Sequence, residues 1–176
     1  METVPLCGDP WRDQMTATPG TDRLLADAEA RGLAVEVVDR PEAGSLVEAA
    51  SVLGIDPSTI VKSLVVKRHD GQFLFALVPG GRQISWSKLR AVVGVNKLSM
   101  PSPDVALEAT GYERGTITPI GSTTAWPVYA DERIAGTRVA LGAGAHGRSA
   151  FVEADALLAA YGATVADITD DERPRD

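Results

Sequence analysis

The chain has 176 residues, 44% hydrophobic and 23% charged, with mean hydropathy near zero. That is enough chain for one full hydrophobic core, and a single domain is the natural expectation. A net charge of −7 and a pI near 4.8 argue against a protein that grips long nucleic acid through many phosphates, so any contact with RNA should be local.

Residues 1–20 are rich in Pro, Thr, Gly and Asp and show no period; they are expected to form a flexible leader. Cys7, the single cysteine, lies in it, so no internal disulfide forms, and no Cys/His cluster has zinc spacing. Asp9, Arg12 and Asp13 interrupt any apolar signal core, and no stretch has the length of a membrane span. A reducing, cytoplasmic setting follows as the expectation, with no metal or cofactor.

The first helix is predicted over Thr21–Arg31, with Leu24, Leu25 and Ala28 on one face and Gly32 as its stop. Ala34–Val38 reads as a strand. Ser45-Leu46-Val47-Glu48 fits a capping box, and the helix it opens ends at Gly54. Asp56-Pro57 starts a turn into the run Ile60–Lys67, which reads as a strand. Asp70-Gly71 is a hairpin signal, Gln72–Val78 the returning strand, and Pro79-Gly80-Gly81 its end. Ser85 caps a helix through Val93, stopped by Gly94; a short strand follows near Lys97–Met100. Ser102-Pro103 supplies a cap and an N1 proline for a helix that ends at Gly111. Residues 112–126 form a shaped loop. Pro127–Ala130, Thr137–Leu141, Ser149–Val152 and Thr164–Ile168 are strand candidates, and Ala154–Tyr161 is a helix. From Asp170 onward a charged, disordered tail is expected. Hairpins beside crossovers argue for an α+β fold, with a mixed, largely antiparallel sheet and helices packed outside.

Lys62 stands out. It interrupts an aliphatic strand, where an unpaired buried ammonium is costly, in a chain with four lysines against thirteen arginines. Either its stem carries the charge to solvent, or the charge faces a cleft and meets an anion or a polarised carbonyl. Two glycine-rich loops accompany it, Gly111–Gly121 and Gly142–Gly147. Glycine lets backbone amides approach a ligand, but equally makes tight turns. Neither loop is a Walker motif. Gly142–Gly147 matches G-x-G-x-x-G but leads to a strand, so the dinucleotide context fails. His69 sits in a hairpin turn. His146, in the second loop, has either a polar contact or a ligand role. Asp104, Glu108, Glu113, Asp131, Glu132, Glu153 and Asp155 fall at caps and turns and read as solvated surface. No nucleophile elbow is present.

Taken together, Ser45–Ala50, Leu53-Gly54 and Ile60-Val61-Lys62-Ser63-Leu64-Val65 resemble the opening of the YbaK/ProX family. These are aminoacyl-tRNA deacylases related to the editing domain of bacterial prolyl-tRNA synthetases. Gly111-Tyr112, Gly115, Thr118-Pro119 and Gly121 look like that family's central loop. Gly142–Gly147, a strand, and then Asp155-Ala156-Leu157-Leu158 look like its closing motif. The resemblance spans about residues 22–168.

It implies a YbaK-like deacylase domain over 21–169, between the leader at 1–20 and a tail at 170–176. It also implies hydrolysis of the ester joining a wrong amino acid to the 3′ end of a tRNA. Lys62 falls on the family's essential lysine and Gly115 on a loop glycine whose backbone meets the substrate. Thr118, Pro119, Gly121, Gly142, Gly144, His146 and Ser149 are the implied substrate-binding positions. At the position of Ser149 some relatives carry Asp or His. On this reading Lys62 holds the terminal phosphate or the ester oxygen, amides of the Gly115–Gly121 loop position the carbonyl, and the substrate's ribose hydroxyl activates water. The partners implied are the 3′ terminus of an aminoacyl-tRNA and an aminoacyl-tRNA synthetase, with no DNA and no membrane. A non-catalytic module for an aminoacyl-tRNA or adenylate-like ligand, and a small-molecule esterase, stand as alternatives.

Overall fold

A computed structural model describes residues 19–41 and 45–172. Of the leader expected over 1–20, residues 1–18 lie outside the described residues, as does the tail from 173, while Pro19 and Gly20 are the first residues of a helix and not leader. The first helix, α1 (Pro19–Ala30), buries Thr21, Leu24 and Ala28, the spacing of one helical face. Strand β1 (Val35–Asp39) follows, then α2 (Leu46–Leu53). The Ser45 hydroxyl accepts the Glu48 amide at 3.1 Å, and Gly54 closes α2 at φ 69°. A 3₁₀ turn at Pro57–Thr59 leads into β2 (Val61–Arg68), which folds back through Asp70-Gly71 onto β3 (Phe73–Pro79). Next come β4 (Arg82–Ile84), α3 (Trp86–Val93), β5 (Leu98–Ser99) and α4 (Pro103–Thr110). The chain ends with β6 (Val128–Asp131), β7 (Arg138–Gly142), β8 (Arg148–Glu153), α5 (Ala154–Ala160), β9 (Thr164–Ala166) and β10 (Thr169–Asp171).

One sheet has the order β5-β2-β3-β6-β9; a second is β1-β8-β7; β4 and β10 pair separately. Among the strand pairs of the described residues, only β3–β6 and β6–β9 are parallel. The fold is therefore α+β with mixed, largely antiparallel sheets. The pleat sorts β2 into two cores. Val61 and Val65 join Leu24, Phe75, Leu77 and Ile120 on one face; Val66 joins Leu74, Leu89 and Ile168 on the other, with Leu64 packed against them.

Two expectations are corrected at the C-terminal end. The single strand foreseen over Thr164–Ile168 is broken into β9 and β10, because the buried Asp131 carboxylate accepts the Ile168 amide at 3.2 Å and the Thr169 hydroxyl at 2.7 Å. That pull turns the chain off the sheet. Asp170 and Asp171, foreseen as disordered tail, are strand residues paired with Gln83 and Arg82 of β4, itself a strand the glycine pair had hidden.

Ion pairs tie this corner down: Lys88 meets Asp167 at 3.0 Å and Asp170 at 3.1 Å, and Arg133 meets Asp167 at 2.9 Å. Hydrogen bonds from Arg133 and Lys88 hold the Asp167 carboxyl at about 2, below its ordinary 3.8. A depressed carboxylate stabilises the fold fully above its unfolded value and loses that contribution as pH falls toward the folded one. Thermal melting between about pH 4 and 2 is therefore expected to show a steeper loss of stability for the parent than for Asp167→Asn.

Candidate active site

A cavity of about 610 Å³ lies beside β2. Five consecutive β2 residues, Val61 to Val65, line it, together with Met100, Pro101, Arg114, Gly115, Ile117 and Gly142. A cavity over the face of a strand meets every second side chain, so contact with five residues in a row means approach along the strand's edge. The register agrees. Gly80 N donates to Ile60 O and Arg68 N to Gln72 O, both at 2.8 Å, which turns the peptide groups of even-numbered β2 residues toward β3. Those of Val61, Ser63 and Val65 face the opposite edge.

Lys62 belongs to this wall, but its side chain leaves β2 on the face of Leu64 and Val66. The ammonium donates to the main-chain carbonyl of Arg82 in β4 at 2.5 Å, and Arg82 does not line the cavity. The expected amine pointing into a glycine-walled hollow is thus replaced by an amine held at the β4 end. Burial lowers the Lys62 pKa from 10.5, and the Glu172 carboxylate partly opposes that. Arg114, exposed and on the same cavity, forms no ion pair among the described residues. Arg82 and Lys88 are committed to ion pairs, Arg82 with Asp171 and Lys88 with Asp167 and Asp170.

The two glycine loops meet at the cavity. A Cβ on Gly142 would sit 2.4 Å from the Ile117 carbonyl oxygen, so β7 and the first loop touch backbone to backbone. The Gly144 amide donates to Thr116 O at 3.0 Å. Gly115 takes φ +89°, and its amide and that of Ile117 donate to no acceptor among the described residues.

Other foreseen positions lie elsewhere. Thr118 is buried and its hydroxyl accepts the Ile120 amide at 3.2 Å; Pro119 is buried beside it. Gly121 faces α1, with its amide on Asp27 at 2.9 Å and its carbonyl on Arg23 at 3.3 Å. None of these three lines the main cavity. Gly144 and His146 line a separate hollow with Arg23 and Glu113, and His146 Nε2 is 3.2 Å from the Glu113 carboxylate. Ser149 is paired with Gly142 across β7–β8, and its hydroxyl accepts from Arg40 at 2.8 Å. Lys62, Gly115 and Gly142 are the foreseen residues that the fold brings together.

Residues 40–160 match the family of aminoacyl-tRNA editing domains. The chain belongs to that family. It is 32% identical over 133 residues to a proline–tRNA ligase of Bacillus velezensis, covering 73% of this chain and 23% of the ligase. It is 38% identical over 86 residues to the ligase of Thermosipho melanesiensis, covering 49% of this chain and 15% of that protein. The chain thus spans less than a quarter of the length of these relatives. Among solved structures, a proposed trans-editing enzyme for prolyl tRNA synthetase shares 31% identity at a TM-score of 0.81, covering 88% of this chain and 99% of that one. A hypothetical protein at 24% identity and TM-score 0.78, covering 84% and 99%, shares the fold.

Sequence reasoning missed what holds the editing domain's central loop. The α1 residue Arg23 donates to Gly111 O at 2.7 Å and lies 4.7 Å over the Tyr112 ring; Thr21 donates to Ala143 O at 2.7 Å. Asp27 accepts from the Gly121 amide, from Tyr161 and from Arg31. Burial raises the Asp27 pKa, but these hydrogen bonds outweigh it and hold the carboxyl below its ordinary value. Helix α1 is therefore bolted to both glycine loops. Asp27→Ala strands the Gly121 amide and is expected to cost about 1–3 kcal/mol, read from chemical denaturation. Among the described residues no group of three His, Cys, Asp or Glu could hold a metal ion, and no helix is long and apolar enough to cross a membrane.

Proposed function

We propose that this protein hydrolyses the ester of a mischarged aminoacyl-tRNA carrying a small amino acid, acting in trans on tRNA-Pro or a similar tRNA. The observation that carries the reading is the cavity beside β2 in an editing-domain chain: Lys62, Gly115, Ile117 and Arg114 all line it, and among the described residues the Gly115 and Ile117 amides have no acceptor and Arg114 no ion pair. Water adds to the carbonyl carbon, the bond to the ribose oxygen breaks, and the water proton passes to that oxygen, releasing free amino acid and intact tRNA. The neighbouring ribose hydroxyl relays it, accepting the water's proton as it gives its own to the leaving ribose oxygen, since the cavity lining offers no carboxylate or histidine.

Amides aimed at the developing oxyanion supply the main stabilisation. The Lys62 ammonium already binds a carbonyl oxygen, and it exchanges that of Arg82 for the ester oxygen or the terminal phosphate. Arg114 adds a phosphate contact. Only the tRNA terminus enters, so an acidic protein can do this work. The apolar wall of Val61, Val65, Met100 and Ile117 selects by size, within the limit of about 1–3 kcal/mol per methylene.

A panel of alanyl-, cysteinyl-, seryl- and threonyl-tRNA tests this. Catalytic turnover of at least one is expected. Tight binding without turnover, or turnover confined to small free esters, would reject it.

A further inference from the structure

The β2 edge that faces the cavity is open by design of the sequence next to it. On that side β2 is paired at only two places among the described residues. At one end is the bridge between Ile60 and Ala140; at the other, Lys67 and Arg68 pair with Ser99 and Leu98 of β5. Between them, from Val61 to Val66, this edge of β2 has no strand partner among the described residues. The β5 register shows why. Continuing Lys67↔Ser99 antiparallel along β2 sets residue 101 opposite Val65 and residue 103 opposite Ser63. Both are proline. Proline has no N–H to give to a neighbouring strand, and at these two positions that N–H would point at β2. Strand β5 stops after two residues, and the cavity, lined by Val61–Val65 together with Pro101 and Pro103, lies along the edge left open.

We infer that the aminoacyl group itself takes up this open edge, pairing with Ser63 as one residue of a missing strand. An amino acid esterified through its carboxyl keeps its α-nitrogen and its carbonyl oxygen at the spacing of any strand residue. In an antiparallel hydrogen-bonded pair, those two atoms meet the C=O and N–H of a single residue opposite. Ser63 presents that pair: its carbonyl accepts the α-ammonium and its amide donates to the ester carbonyl. It is the middle one of Val61, Ser63 and Val65, whose peptide groups face the cavity by the parity of the β2–β3 ladder. Paired residues share a face, so the substrate's side chain falls on the face of Val61, Ser63 and Val65, which Ala106 and Ile117 also line. Extended main chain adding to an open edge is an established mode of recognition; here the added strand is one residue long.

The inference rests on the deacylase reading and makes a sharper demand: the free α-ammonium is part of what is recognised. The experiment uses the unmodified protein. Deacylation of alanyl-tRNA is compared with that of propionyl-tRNA, which lacks the amino group, each divided by its own spontaneous rate; seryl-tRNA is compared likewise with its deaminated counterpart. A fall in corrected kcat/KM of about 10- to 100-fold without the amine is expected, the range for losing one hydrogen bond to a charged group.

In parallel, hydrogen exchange of the Ser63 amide is followed by NMR with 3′-alanylamino-3′-deoxyadenosine, a non-hydrolysable mimic. Slowed exchange at Ser63 is expected. Equal corrected rates with and without the amine, or a Ser63 amide unaffected by saturating mimic, overturns the pairing while leaving the deacylase reading intact. Failure to hydrolyse any aminoacyl-tRNA overturns both.

Discussion

Replacing Lys62 with alanine is expected to lower aminoacyl-tRNA deacylation by on the order of a hundredfold, the usual cost of removing one electrostatic contact to a developing oxyanion. The same change removes the hydrogen bond from the ammonium to the Arg82 carbonyl, a charged contact worth about 1.5–3 kcal/mol, so stability falls as well. The two effects separate cleanly. Single-turnover rates are taken well below the melting temperature of each variant, where the folded fraction is close to one. Lys62→Met keeps the aliphatic stem and its packing while deleting the charge. Both variants should lose rate to a similar degree. A Lys62→Met protein with full activity would show that the amine serves only to pin β4.

The pH dependence has a definite sign. On the proposed role of Lys62 the working form is the protonated one, and burial brings the Lys62 pKa below 10.5. The enzymatic rate, after subtraction of spontaneous hydrolysis, should therefore decline as pH rises, and do so below the pH at which a free lysine would titrate.

Gly142→Ala is expected to produce the second large effect, and for a different reason. The new methyl group would lie 2.4 Å from the Ile117 carbonyl oxygen and 2.9 Å from the Thr116 carbonyl carbon and oxygen. These are backbone atoms, so the loop must move as a unit and carry the Gly115 and Ile117 amides with it. Overpacking of this kind costs about 1–3 kcal/mol in stability. A displacement near 1 Å at a reacting centre costs on the order of a hundredfold in rate. Gly115→Ala provides the contrast. Its φ of +89° makes alanine strained, by about 1–2 kcal/mol, yet the nearest atom to the added carbon is His146 Cε1 at 3.6 Å. Melting temperature should fall in both variants, whereas the larger rate loss belongs to Gly142→Ala. Equal rates for that variant and the parent would mean that the loop amides do not take part.

Much of the architecture was legible because it is written in local chemistry. Ser45, Ser85 and Ser102 each accept the amide three residues on, and Gly54, Gly94 and Gly111 each end their helix in the left-handed region. These signals need only a few neighbours in sequence. Lys62 was legible for the same reason, as a charge inside an aliphatic run. The family resemblance drawn from short motifs between residues 22 and 168 agrees with the match over residues 40–160.

What stayed hidden depends on groups far apart in the chain. The clamp of Arg23 and Asp27 on Gly121 joins residues more than ninety positions apart, and nothing local to α1 marks them. The break between β9 and β10 is caused by Asp131, which reads in isolation as another surface carboxylate. The motif glycine Gly121 and its neighbours Thr118 and Pro119 support the loop without lining the main cavity, a distinction that a motif cannot express.

The sequence by itself determined the α+β class, the helix ends, the odd lysine and the family. Caps, periodicity and motifs act over a few residues and carry their own physical meaning. Only the tertiary structure decided where the Lys62 ammonium rests and which edge of β2 is open. Both follow from the pairing of strands, and pairing parity is a property of two strands in register, not of either one alone.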